Sequence, residues 1–257
     1  MGIFLCEWLD DRIDPDGDGL ERILELPKEY DEYGNLNTLT VRVDRLSAAV
    51  NDLFYYSPAF YLFCMEDGRA YLYADVAVEN DYHLLEIFDL SGDAPRWAGE
   101  EYGGFGMLWD SEREESALHI PTGPDCFALN KRLHLLSTHT GQRENRIGED
   151  GLPQPAGTLW YTANENAMIT LQVVKDIPAT IIDEAALSLP AEDMTGTEGY
   201  IRAGESVKIW RSDGWSMMDL RREDGSAARI YIDNNDWPHT INGEDESSFF
   251  EQLYYAG

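Results

Sequence analysis

The residue types and spacing best suited to chemistry lie near the amino end, in the acidic segment from Asp14 to Glu25. Carboxylates at its first, third and fifth positions can converge on one point, and Gly19 permits the sharp turn that this convergence requires. Hard oxygen ligands in a flexible loop select Ca²⁺ over Mg²⁺. The spacing therefore predicts a structural Ca²⁺ site, with ligands drawn from Asp14, Asp16, Asp18, the carbonyl of Leu20 and Glu25.

An empty acidic turn is the alternative interpretation of this segment, because Asp and Gly are also common turn formers. Three carboxylates within five residues, however, repel one another unless a cation lies among them. From Asp10 to Glu32 the chain carries ten acids and three bases, so the neighbourhood attracts cations. We therefore expect a bound ion that ties the first strands together.

The residues that follow the loop favour a strand over a helix, because Pro27 would end a helix within two residues of the loop. In this respect the segment resembles the Asp-x-Asp-x-Asp-Gly calcium loops of integrin-type FG-GAP and related bacterial propeller repeats, in which the loop leads into a strand. Those repeats often carry an acid at the ninth loop position, where this chain has Arg22. The resemblance implies a Ca²⁺ ion and leaves the last ligand open between Glu21, Glu25 and water.

A second resemblance lies near the carboxyl end, over residues 199–220. An entry strand, a glycine turn, an apolar strand and an Asp-Gly-Trp motif ending at Trp215 follow one another as they do in bacterial SH3-like domains. The family's closing Gly-Trp-Val is replaced here by the segment 225–232. The resemblance implies a small barrel, with Trp215 covering its end, and a partner that is a peptide or a cell-wall glycan.

Four aromatic residues of this region could form a face for a sugar ring or an extended peptide: Trp210, Trp215, Tyr231 and Trp237. Aromatic rings supply large apolar contact areas at binding surfaces, but they dominate the cores of small domains just as readily. Core packing is therefore the alternative role. The two roles differ in whether the rings face solvent.

The chain carries no catalytic signature. Its five histidines form no His-x-His or His-Glu-x-x-His pattern, and no Gly-x-Ser-x-Gly elbow, Walker loop or dinucleotide fingerprint occurs. The segment from Ser137 to Arg146 mixes His, Arg and acidic residues and is the first loop in which we would look for chemistry. A catalytic pair of carboxylates, as in glycosidases, stays an open alternative. The chain's 49 acids offer many pairs, and only the distance between two carboxylates in the structure is diagnostic.

Charge narrows the classes of partner. With 49 Asp and Glu against 19 Lys and Arg, the net charge is 19 − 49 = −30, which argues against nucleic acid and against an anionic membrane surface as partners. No run of about 20 apolar residues occurs, so no transmembrane segment is predicted. Cys6, Cys64 and Cys126 are odd in number and far apart, which predicts buried thiols in place of a disulfide framework or a zinc site.

Short β-rich runs separated by turn clusters recur along the chain and predict an all-β fold with minor helix. We expect a propeller- or sandwich-like region over residues 1–190 and an SH3-like small barrel with a C-terminal helix over residues 191–257. The boundary is expected in the polar segment 189–197, which contains Pro and Gly, and the Gly- and Pro-rich segment 141–157 is a second candidate. Apolar spacing predicts two short helices, from Leu46 to Phe54 and from Glu246 to Tyr255.

Taken together, these features resemble secreted or lipid-anchored proteins of Gram-positive gut bacteria. The resemblance implies a non-catalytic, calcium-stabilised binding or scaffold module, at the cell surface if a leader has been removed and in the cytoplasm otherwise. Two alternatives stay open. One is a carbohydrate-active hydrolase that uses paired carboxylates, and the other is an intracellular acidic immunity or inhibitor-type protein whose charge meets a basic partner.

Removal of calcium is expected to destabilise the protein. We expect EDTA to lower the melting temperature and Ca²⁺, but not Mg²⁺, to restore it, because the ion offsets the repulsion among Asp14, Asp16 and Asp18. The measurement is thermal melting followed by circular dichroism, in EDTA and then with each cation added back. Asp16→Ala should abolish the rescue by Ca²⁺, and a wild type that is insensitive to EDTA would contradict the site.

Overall fold

The computed structural model describes residues 2–5, 11–13, 22–51, 55–78, 82–105, 107–110, 115–118, 123–162, 168–189 and 193–255. About 56% of the chain lies in strands and 4% in helical turns, and the sheets are antiparallel. The predicted all-β fold class is therefore confirmed. Within these ranges no helix is long and apolar enough to cross a membrane.

The strands of the first half are β1 (Gly2–Leu5), β2 (Asp11–Ile13), β3 (Arg22–Glu25), β4 (Lys28–Tyr30), β5 (Leu36–Val43), β6 (Leu46–Val50), β7 (Tyr56–Cys64), β8 (Ala70–Ala77), β9 (His83–Asp89), β10 (Arg96–Tyr102), β11 (Met107–Asp110) and β12 (Glu115–Leu118). The later strands are β13 (Phe127–His134), β14 (Thr138–Ile147), β15 (Pro153–Pro155), β16 (Trp160–Thr162), β17 (Thr170–Gln172), β18 (Ile177–Ile182), β19 (Thr197–Ile201), β20 (Ser206–Ser212), β21 (Met217–Arg222), β22 (Ala227–Tyr231), β23 (Thr240–Ile241) and β24 (Glu244–Asp245). Glu184–Ser188 and Glu246–Ser248 are 3-10 helices.

The chain forms two compact units. Unit 1 comprises Met1–Lys131 and Glu144–Ala156, and unit 2 comprises Arg132–Arg143 and Gly157–Gly257. These units differ from the two regions expected on either side of residue 190, because β18 and β19 pair with each other across that residue. A polar segment with Pro and Gly connects strands within a unit as readily as it connects domains.

Unit 1 is built around the sheet β1-β7-β8-β9-β10. β8 and β9 are buried on both faces, which explains their nearly continuous apolar sequences. On one face Leu72 belongs to a core that includes Leu39 of β5. On the other face the rings of Phe63, Phe105 and Phe127 pack together with centroids 5.7 to 6.1 Å apart.

Unit 2 contains the strand order β16-β20-β21-β22-β18-β19, with β17 pairing to β20 and residues 141–142 of β14 pairing to β16. One face of this sheet forms the core, where Val207, Leu220 and Ile230 pack with Phe249 and Phe250. The alternation of apolar and polar residues along β20 matches this one-sided burial. The opposite face carries charged and aromatic side chains.

The helix predicted from Leu46 to Phe54 is wrong over the described part of that segment, where Leu46–Val50 is strand β6. Asp44 adopts a positive φ of 54° in the turn that precedes it. β6 then pairs with β5 over its whole length. Pairing with a neighbouring strand overrides the helical spacing of the apolar residues, because β-structure depends strongly on context.

The predicted C-terminal helix is also wrong beyond its first residues, because only Glu246–Ser248 is helical and in 3-10 form. Phe250 instead forms an isolated antiparallel bridge with Val173.

The segment expected as a loop from Ser137 to Arg146 lies largely in the ten-residue strand β14. Cys126, expected to be buried, is exposed in the bend before β13.

The turn around Gly151 is pressed against β8 within unit 1. The Tyr73 hydroxyl donates a hydrogen bond of 2.5 Å to the carbonyl of Gly151, and Arg69 donates one of 3.0 Å to the carbonyl of Glu149. Gly151 has a φ of 85°, and a methyl group added to it would lie 2.4 Å from Cε1 of Tyr71. This close approach leaves no room for a side chain at position 151.

Gly151→Ala is expected to destabilise unit 1 by about 1–3 kcal/mol more than Gly34→Ala, the typical cost of overpacking. Gly34 shares the φ of 85° but has nothing within 4 Å of the added methyl group. The backbone strain therefore cancels in this matched pair, and the clash with the buried Tyr71 ring is what differs. Urea-dependent hydrogen exchange at the amides of β7, β8 and β9 measures the difference, and equal losses in the two variants would contradict the packing.

Candidate functional site

The predicted metal ligands lie mostly outside the described residues; these are Asp14, Asp16, Asp18, Leu20 and Glu21. Glu25, in β3, accepts a hydrogen bond of 2.8 Å from Arg42. Within the described ranges, no three His, Cys, Asp or Glu side chains form a group that could hold a metal ion. The Ca²⁺ site near the amino end thus stays a prediction.

Three of the four aromatic residues predicted to bind a ligand face solvent. Trp215, Tyr231 and Trp237 are 59%, 63% and 67% exposed, whereas Trp210 is half-buried. Trp215 therefore does not cover the end of a core. The predicted turn before it is present, since the Asp213 carboxylate accepts the backbone N–H of Trp215 at 2.8 Å. Across the described chain, no ring contact joins any two of the four aromatic residues.

The face of the unit 2 sheet opposite its core carries a row of three charges, Arg211, Asp219 and Arg229, and we call it the ladder face. The three residues lie directly opposite one another on β20, β21 and β22. Arg211 Nε donates to Asp219 Oδ2 at 2.8 Å, while Arg229 donates from Nε to Oδ1 at 2.8 Å and from Nη2 to Oδ2 at 2.9 Å. The hydrogen bonds to Asp219 raise the pKa of Arg229, which keeps its charge fixed.

A β-bulge in β20 places Trp210 beside this row. The register between β20 and β21 shifts between Ile209 and Arg211, so Trp210 has no opposite partner on β21. Its ring contacts the guanidinium carbons of Arg211 and Arg221, which lie 3.9 and 4.2 Å from the ring centroid. These cation-π contacts hold the ring and both guanidinium groups in a fixed relation.

Burial makes the row of charges rigid. Asp219 is fully buried and Arg211 is 2% exposed. Sδ of Met194 lies 2.6 Å from Nη2 of Arg211, so the segment expected to link two domains contributes to this burial. A buried ion is tolerated only when its partners compensate it in good geometry, and here both oxygens of Asp219 accept hydrogen bonds from guanidinium groups. The ladder face is therefore preorganised.

The row continues toward the edge of the sheet, where Thr180 lies opposite Arg229 and Glu198 lies opposite Thr180. A cavity of about 450 Å³ opens over this end of the row, and Tyr200 and Tyr231 also line it. The two rings are 47% and 63% exposed. The cavity combines a guanidinium group, a carboxylate, a hydroxyl and two rings, and such sets of apolar and polar groups fix the orientation of a bound ligand.

Trp237 belongs to a separate aromatic cluster of unit 2. Its ring meets those of His239 and Tyr255 edge to face, at centroid distances of 4.9 and 5.0 Å. The Tyr255 hydroxyl donates to the buried carboxylate of Glu246. Burial raises the pKa of Glu246, although the hydrogen bond from Tyr255 opposes that shift. The cluster fixes Trp237 while leaving most of its ring in solvent.

Two further buried carboxylates lie in unit 1, and each has donors of its own. Asp75 accepts the backbone N–H of Phe105 at 2.7 Å and lies 2.7 Å from Nδ1 of His83. Glu86 accepts the indole N–H of Trp97 at 2.8 Å, and burial raises the pKa of Glu86. These contacts assign both carboxylates a role in holding strands together.

Sequence reasoning missed the ladder residues. Asp219 stands inside the apolar run Met217–Leu220, and a charge in such a run signals a buried ion that needs a partner. Strict alternation along β20 would place Arg211 on the core face with Ile209. The bulge places Arg211 on the opposite face, and no turn residue or glycine in the sequence indicates the bulge.

Asp219→Ala is expected to destabilise unit 2 by about 3–5 kcal/mol, because it leaves two guanidinium groups facing each other without their shared carboxylate. Glu244→Ala removes an exposed ion pair with Lys175 in the same unit and should cost less than about 1 kcal/mol. Urea unfolding curves of the two variants give the comparison. Similar small losses of unfolding free energy in both variants would show that the buried row does not stabilise the sheet.

The geometry of the site is thus a rigid, charged and aromatic sheet face in unit 2. When the chain is compared with known protein families, curated proteins and solved structures, no match is found. The FG-GAP and SH3-like resemblances therefore stay predictions, and function must be argued from the ladder face itself.

Proposed function

We propose that the protein is a non-catalytic binding module that recognises an extended peptide or a cell-wall glycan with the ladder face of unit 2. The observation that carries this proposal is the cavity of about 450 Å³ lined by Tyr200, Tyr231 and Arg229. Exposed tyrosine rings offer apolar contact area at little entropic cost, and the adjacent guanidinium group offers directed donors.

Rigidity of the cavity supports recognition, because groups that are already ordered lose little freedom when a ligand binds. Arg229 is held by two hydrogen bonds to Asp219. The ring of Tyr200 lies against the guanidinium group of Arg202, at 4.6 Å, and Arg202 donates to Asp176 at 2.7 Å. The Arg229 side of the cavity is therefore fixed by a buried carboxylate, and the Tyr200 ring has an exposed guanidinium group against it.

The two alternatives from the sequence have less support from the cavity of about 450 Å³ and from the basic residues around it. A glycosidase needs a pair of carboxylates in its cleft, whereas Glu198 is the one carboxylate among the described residues that line this cavity. A mimic of nucleic acid would present a contiguous negative surface. The ladder face instead carries Lys208, Arg211, Arg221 and Arg229, which are four of the 19 basic residues in the chain.

The proposal includes a structural Ca²⁺ ion at the segment 14–25 and a location at the bacterial cell surface. The two belong together, because extracellular modules bind Ca²⁺ with Kd values of about 10⁻⁴–10⁻³ M and depend on the high concentration outside cells. The ion would order the first strands of unit 1. It takes no direct part in ligand recognition by unit 2.

Loss of either cavity ring is expected to weaken binding. Soluble fragments of Gram-positive peptidoglycan contain both glycan and peptide and should bind the wild type. Tyr231→Ala and Tyr200→Ala should each weaken binding about tenfold or more, since truncation of a central aromatic contact removes over 1 kcal/mol. Isothermal titration calorimetry measures the change.

Tyr33→Ala is the matched control, because Tyr33 is 82% exposed in a turn of unit 1 and lines none of the ladder face. This variant should bind as the wild type does. Binding as tight as that of the wild type in both cavity variants would contradict the proposal, as would an equal loss of affinity in the control. Circular dichroism spectra of all variants exclude unfolding as the cause.

A further inference from the structure

Two cations stand side by side on the ladder face, because Lys208 of β20 lies directly opposite Arg221 of β21. Directly opposite residues of antiparallel strands have Cβ atoms about 4.5–5.5 Å apart, and like charges at that distance repel. The next residues in the same row are Thr170 beside Lys208 and Ala227 beside Arg221. No acid of this row therefore offsets the repulsion.

Neither cation forms an ion pair within the described chain. Arg221 donates from Nη1 to the carbonyl of Gly225 at 2.8 Å, and Lys208 is exposed. The neighbouring Arg222, by contrast, donates to the Glu205 carboxylate from Nε at 3.0 Å and from Nη2 at 2.8 Å. In a chain with 49 acids, two adjacent cations without a carboxylate are a feature that a bound anion would stabilise.

A cavity of about 690 Å³ opens over these cations. Lys208, Arg221 and the ion-paired Arg222 supply positive charge to its lining, while Glu184 and Glu223 supply negative charge. Glu184 is set close to the glycine of the next turn, since a methyl group at Gly225 would lie 3.1 Å from its carboxyl carbon. Neither acid forms a direct ion pair in the part of the chain that the structure describes, so cations and carboxylates of this lining both stay available to a ligand.

Arg221 is well placed to hold a carboxylate. Its guanidinium group is oriented by the Gly225 carbonyl and by the Trp210 ring, which leaves further N–H donors of the planar fork for a ligand. A guanidinium group binds carboxylates in bidentate geometry, and Lys208 adds a flexible point charge beside it. The volume of the cavity falls in the range of known ligand sites.

We propose that this cavity binds a short zwitterionic peptide, with a carboxylate held by Lys208 and Arg221 and an ammonium group held by Glu184 and Glu223. The inference rests on the proposed function of the ladder face and narrows its ligand from peptide or glycan to peptide. A neutral glycan would leave both pairs of charges without a direct ionic partner. A peptide with free termini or with acidic and basic side chains compensates both.

The test uses the full chain and the tetrapeptide Ala-Glu-Lys-Ala with free termini, titrated by calorimetry at low ionic strength. Lys208→Gln and Arg221→Gln should each weaken binding about tenfold or more, whereas Lys208→Arg should retain it because the charge is kept. Glu223→Gln should weaken binding by a smaller factor, since this carboxylate is exposed. The acetylated and amidated peptide Ala-Gln-Gln-Ala carries no charge and should not bind.

Lys175→Gln is the control, because Lys175 is an exposed cation of the same unit that pairs with Glu244 away from this cavity lining. It should leave binding unchanged. The inference would be overturned if the charged peptide did not bind, or if the neutral peptide bound equally well. It would also be overturned if Lys208→Gln left the affinity for the charged peptide unchanged. If peptidoglycan fragments still bind through Tyr231 in those cases, the proposed function stands and the zwitterion site alone fails.

Discussion

The carboxylate of Asp219 is fully buried and is shared by the guanidinium groups of Arg211 and Arg229. In a medium of low dielectric constant, such an ion is stable only while its donors keep to a narrow range of distances and angles. The strands β20, β21 and β22 must therefore keep one register. A slip of β21 by one residue would move Asp219 to the core face, near Val207 and Ile230, without a donor, and would move Leu220 out of the core.

The same constraint extends to both cavities of the ladder face. The bulge at Trp210 brings Arg211 to Asp219, and the extra residue supplies a ring for the guanidinium groups of Arg211 and Arg221. Arg221 is thereby oriented at one cavity, and Arg229 is oriented at the other by its own bonds to Asp219. One buried carboxylate thus helps to set the geometry of two separate cavities.

Much of the fold could be predicted from the sequence, because period-two alternation and turn residues act locally. The Asp213 turn and the strand that follows it were expected, as was the all-β class. The prediction for the segment around Leu46 was wrong, since its apolar spacing suits a helix. Its pairing with β5 depends on residues outside the segment, which no local pattern contains.

The candidate site was harder to predict than the fold. Tyr231 was identified as a candidate ligand contact, but the bulge and the charges that surround Asp219 depend on how three strands align.

Unit 1 is discontinuous in the chain, since it is completed by Glu144–Ala156 after residues of unit 2 have intervened. The hydrogen bond from Tyr73 to Gly151 joins residues 78 positions apart, and the contacts of Arg69 with Glu149 close the same gap. During synthesis, β8 can therefore be fully covered only after strand β14 and the turn that follows it have been synthesised. Until then a nascent chain exposes the aromatic side of β8, so folding of the amino-terminal unit is delayed past the point at which its own first strands have emerged.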